Sequence, residues 1–111
     1  MSDSEQDEQR QEYNRLIMNN EERTDDLKLE QNKVETALDE VQQYLHHDFQ
    51  QLNQSDLHLN VDEQRENDQL QLKFQHYFHD FHEQVSHDSH TQLRNLDDER
   101  EELYQKRGHL S

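Results

Sequence analysis

The chain has 111 residues, a formal net charge of −16, 34% charged residues and only 27% hydrophobic ones. That balance is too polar for a conventional globular core, which draws nearly half of its residues from apolar types. It also excludes nucleic acid and anionic membrane surfaces as partners, because both need a basic patch.

Cysteine is absent, which removes disulfides and thiolate metal sites. Proline is absent too and glycine occurs once, whereas polar disordered chains are usually rich in both. Helix is therefore the expected state throughout. The start, Met1-Ser2-Asp3-Ser4-Glu5-Gln6-Asp7-Glu8, lacks the basic residues and apolar run of a secretory signal. No apolar stretch nears the ~20 residues of a membrane span. A cytoplasmic protein is expected, co-exported with its partner if it leaves at all.

The first predicted helix covers about 5–52. Ile17, Thr24, Gln31, Leu38, Leu45 and Leu52 lie seven apart, and Tyr13, Asn20, Leu27, Val34, Val41 and Asp48 form a second such series. Taken as a and d positions of a heptad, they describe a coiled-coil seam. Asn20, Thr24 and Gln31 interrupt it; polar residues at such positions cost stability and fix register. The cleanest stretch is Val34–Leu52.

A cluster of turn-forming residues, Asn53-Gln54-Ser55-Asp56-Leu57-His58-Leu59-Asn60, predicts a joint over 53–60. Asn60-Val61-Asp62-Glu63 reads as a capping box opening the second helix, expected over about 61–107. Its apolar positions are Leu70, Phe74, Tyr77, Phe81 and Val85, then Leu93, Leu96, Leu103 and Leu110. From Phe81 to Leu96 is fifteen residues, one more than two heptads, so the seam is expected to slip around Ser86–His90. Lys106 and Arg107 suit the negative end of the helix dipole, and Gly108 suits the C′ position of a left-handed cap.

Two arms of similar length around one joint predict an all-α, elongated antiparallel two-helix hairpin; a single bent rod that dimerises is the alternative. Two helices bury only the stripe between them. Leu16, Leu29, Tyr44, Leu72, Phe78 and Tyr104 fall off the seam and mark a second, partner-facing stripe, so the hairpin is expected to complete a helical bundle with another protein. Phe74 and Phe81 are expected to turn inward against Val41, Leu45 and Phe49. Tyr77, Phe78 and Tyr104 are the expected partner contacts, since aromatic residues dominate binding hot spots.

Nine histidines occur, five of them between His76 and His90. His76 with His79, His79 with Glu83, Glu83 with His87 and His87 with His90 have the spacing of paired ligands on a helix. No pair has a third ligand at a matching spacing, so no metal and no cofactor is expected. Protonation of all nine would take the formal charge from −16 to −7 and relieve self-repulsion. No phosphate loop, nucleophile elbow or cysteine nucleophile is present, and an enzyme is not expected.

Leu96-Asp97-Asp98-Glu99-Arg100-Glu101-Glu102-Leu103-Tyr104-Gln105-Lys106-Arg107 resembles the carboxyl-terminal end of the small helical partner proteins of LXG toxins, which are substrates of type VII secretion. The Phe74–Phe81 block lies where that family has a similar aromatic block. Tyr44 and Asp48 form a Tyr-x-x-x-Asp pattern that is similar to a recognition signal for type VII secretion in Gram-positive bacteria. The Trp-x-Gly turn of the related WXG proteins is missing. The resemblance implies a chaperone-like adaptor that forms a hetero-oligomer with the helical amino-terminal domain of a toxin, and possibly with a second small helical protein, and supports its targeting. A self-assembling structural coiled coil and a pH- or metal-responsive histidine-rich helical protein are the rival readings.

Overall fold

The computed structural model describes residues 2–54 and 60–110. It holds two α-helices, α1 over Asp3–Gln54 and α2 over Val61–Gly108, and no strand among the described residues. Against the expected 5–52 and 61–107, α1 begins two residues earlier and ends two later, and α2 ends one later. The expected joint falls mainly on residues 55–59, which lie outside the described residues.

Local chemistry sets the helix starts. The backbone N–H of Glu5 donates to Ser2 Oγ at 3.2 Å, and Asp3 and Glu5 place negative charge in the first turn of α1, where the helix dipole favours it. The capping box on α2 forms as expected: Glu63 N–H donates to Asn60 Oδ1 at 2.8 Å, and Asn60 N–H reaches Glu63 Oε2 at 3.4 Å.

The end of α2 differs from expectation. Gly108 is the last helical residue, and its φ is not positive. In place of a left-handed cap, the chain closes with ordinary turns: His109 N–H donates to the Gln105 carbonyl at 3.1 Å and Leu110 N–H to the Arg107 carbonyl at 3.2 Å. These bonds satisfy carbonyls that a glycine cap would otherwise take.

The chain divides into two compact units. In the first, residues 2–31 run antiparallel to 87–110. Arg10 donates to the Leu110 carbonyl at 2.8 Å, Arg107 to Asn14 Oδ1 at 2.9 Å, and Arg23 pairs with Glu99 at 2.7 Å. Ile17 and Leu103 are buried between the helices, and so are Asn20, with 0% exposure, and Thr24, with 4%. Asn20 Nδ2 donates to the Leu96 carbonyl at 2.9 Å, and Thr24 Oγ1 donates to the Asn20 carbonyl at 2.9 Å. Their short side chains and internal hydrogen bonds let a polar stretch close tightly, since burial of a polar group is tolerated once it is bonded.

In the second unit, Asn32–Ser86, the helices again run antiparallel. Phe49 is buried and meets Phe74 with ring centroids 5.9 Å apart at 50°, a tilted geometry that aromatic pairs favour. Leu38, Leu45, Phe78 and Val85 are half-buried. The stretch Val34–Leu52, expected to be the cleanest seam, is open: Val34, Val41 and Leu52 are all exposed. A choice at one turn explains this. The d position holds Asp48, and the next residue is Phe49. Burying the ring gains a large apolar area, whereas burying the carboxylate would cost several kcal/mol. The helix therefore turns Phe49 inward, and the d positions Val34 and Val41 rotate out.

Along α2 the inward positions Asn67, Gln71, Phe78, Val85, Ser86, Ser89, Leu93, Leu96, Arg100, Leu103, Arg107 and Leu110 follow heptad spacing up to Val85, take two successive fours from Val85 to Leu93 with Ser86 beside Val85 also turned inward, and then alternate between three and four. The two fours, Val85–Ser89–Leu93, are the slip expected near Ser86–His90; an extra four-residue step locally unwinds a heptad seam.

Candidate protein-binding face

Exposed apolar side chains concentrate in the second unit. Among the described residues, ten of the thirteen large hydrophobic residues that stay exposed lie within Asn32–Ser86, Met18, Leu29 and Tyr104 being the others. The polar part of the seam is thus sealed and the apolar part is open, the reverse of what minimises exposed apolar area.

Most of these side chains share one flank. Leu38 of α1 and Phe74, Tyr77, Phe78 and Phe81 of α2 line an open groove of about 690 Å³, with Asp80 and Gln84 at its edge. Val34 and Val41 lie four residues before and three after Leu38, so they share its side of α1. A second groove, of about 300 Å³, is lined by Asp39, Gln42, Gln43, Leu45, His46 and Phe49 of α1 and by Gln71, Phe74, Gln75 and Phe78 of α2. Asp39, Gln42 and His46 lie on the side of Leu38 away from Val34 and Val41, which places the two valines with the aromatic groove. The second groove mixes polar side chains with Leu45, Phe49, Phe74 and Phe78.

The expected partner contacts divide three ways. Tyr77 is 69% exposed in the aromatic groove. Phe78 is half-buried and lines both grooves, so it supports the hairpin itself. Tyr104, 41% exposed, belongs to the first unit and is already engaged: its hydroxyl donates to Glu21 Oε1 at 3.2 Å, and the Arg107 guanidinium lies 5.0 Å from its ring centroid. Phe81, expected inward, is 54% exposed, and Phe74 is exposed beyond its contact with Phe49. Of the expected second stripe, Leu29, Tyr44 and Leu72 are exposed and Leu16 is half-buried. Periodicity marked the apolar positions. Periodicity alone does not show Val34 and Val41 as outward, because the inward turn of Phe49 fixes the rotation of α1, and on α2 Phe78 rather than Phe81 turns inward.

Tyr44 and Asp48 lie one turn apart on α1, both exposed, as the spacing requires. His79 Nε2 and Glu83 Oε1 meet at 3.1 Å, with both side chains largely exposed. Among the described residues no three His, Asp or Glu side chains come together as a metal site, and no helix is long and apolar enough to cross a membrane.

No protein-family model matches the sequence, and no curated protein or solved structure gives a match.

Proposed function

We propose that the chain is a non-enzymatic adaptor that pairs with the helical amino-terminal domain of a secreted toxin and supports its targeting to type VII secretion. One observation carries the protein-binding part: the second unit leaves Val34, Val41, Phe74, Tyr77 and Phe81 exposed along one flank. Exposed apolar patches of this kind mark interaction surfaces, and a helix pair becomes a bundle with a real core when further helices cover it. The toxin part rests on the resemblance of residues 96–107 and on the exposed Tyr44–Asp48 pair. A self-assembling coiled coil would use the same flank, but two copies would each bring a charge of −16, which opposes self-association.

Co-expression with a candidate toxin domain tests the proposal. The expected result is one co-eluting complex and reduced toxin export when the chain is deleted. A stable homodimer that ignores the toxin domain, together with unchanged export, would overturn it.

A further inference from the structure

We infer that the groove between Leu38 and the Phe74, Tyr77 and Phe81 side chains receives a single amphipathic partner helix whose apolar stripe is bordered by lysine or arginine. This deepens the adaptor reading and rests on it only in that the occupant is another protein.

The shape comes first. The groove runs along two antiparallel helices, with Leu38 on one side and Phe74, Tyr77 and Phe81, at helical spacing, on the other. Val34 and Val41 extend the α1 side by one turn each way. Two parallel apolar rows with a furrow between them accept one further helix, whose own ridge packs 8–10 Å from each axis. Anchors at i, i+3, i+4 and i+7 are the recognition pattern of a helix in a groove.

Charge selects the occupant. Residues 32–86 hold eleven Asp and Glu against Lys33, Arg65 and Lys73, a net of −8. Asp80 stands at the edge of the groove. Asp48, seven beyond Val41, places a further carboxylate on the same side of α1. A second copy would set −8 against −8 on a narrow face, and like charges across an interface disfavour the wrong partner. Cationic residues beside the apolar stripe of a partner helix would instead meet carboxylates along both rims, with a gain that salt screens.

The test uses the full chain and two synthetic amphipathic helices of about four heptads. Both have the same leucine stripe; lysine borders it in one and glutamate in the other. The expected result is binding of the lysine-bordered helix only, weakened at least tenfold between about 50 and 500 mM salt. Phe81→Ser should weaken binding at least tenfold, whereas Leu29→Ser, an exposed position in the first unit, should leave it unchanged. If Phe81→Ser lowers helicity, Tyr77→Ser replaces it, with the same expectation. Equal binding of both helices, or binding indifferent to Phe81 and Tyr77, would overturn the inference. So would a homodimer that Phe81→Ser dissolves, since a second copy would then be the occupant. A toxin domain that still co-elutes with the Phe81→Ser chain would overturn this inference and leave the adaptor reading standing. A wild-type chain that binds the lysine-bordered helix but no toxin domain would do the reverse.

Discussion

Asn20 donates to the backbone carbonyl of Leu96, seventy-six residues away in sequence, at 2.9 Å from a side chain with no exposed surface. Among the described residues its Oδ1 finds no hydrogen-bond partner. This half-satisfied amide is the pattern of a register key: it costs stability and specifies alignment. Leucine at this position would remove the unpaired oxygen, and the Leu96 carbonyl keeps its own helical bond. Asn20→Leu is expected to raise stability by about 1 kcal/mol, or roughly 4 °C in Tm. Thermal unfolding followed by circular dichroism checks it; a loss of 1 kcal/mol or more would show that the Leu96 contact outweighs the unpaired oxygen.

Gly108 closes α2 with no positive φ, and a Cβ there would meet nothing within 4 Å. Glycine in a helical conformation carries excess unfolded-state entropy. Gly108→Ala is expected to stabilise the chain by about 0.5 kcal/mol. Denaturant unfolding measures it, and a destabilised variant would mean that a left-handed cap forms in solution.

Phe49 and Phe81 are expected to separate folding from binding. Phe49 is 7% exposed and packs at a tilt against Phe74, so Phe49→Ala should cost about 3 kcal/mol of stability. Phe81 is 54% exposed, and Phe81→Ala should change the free chain by less than about 0.5 kcal/mol. Paired unfolding curves decide this; equal costs would place Phe81 in the hairpin core.

Zinc is expected to leave stability nearly unchanged. His79 and Glu83 offer two adjacent ligands at 3.1 Å, and a structural zinc site needs four. A saturable one-to-one rise in Tm that His79→Ala abolishes would contradict this.

The features legible in the sequence are those encoded within one turn of helix. The Asn60–Glu63 box, the helix bounds and the slip at Val85–Leu93 need only local spacing. The rotation of α1 in the second unit does not. It depends on the cost of burying Asp48 set against the gain from Phe49, and on Phe74 being there to receive the ring. Heptad spacing in one helix carries no such pairwise information. Heptad spacing likewise leaves open which of Phe78 and Phe81 turns inward; Phe78 is half-buried, and Phe81 and Tyr77 are exposed. Gly108 closes α2 without a left-handed cap, because glycine at a helix end permits such a cap without requiring one.

The most direct test of a partner-covered second unit is residue-resolved hydrogen exchange on the free chain and on the chain mixed with the toxin domain proposed as its partner. In the free chain, amides of residues 34–52 and 70–81 should be at least tenfold less protected than those of 13–27 and 93–107, because exposed apolar flanks leave a unit easier to open. Binding should raise protection at 34–52 and 70–81 and change the first unit little. Equal protection of both units in the free chain, unchanged by the toxin domain, would contradict the account.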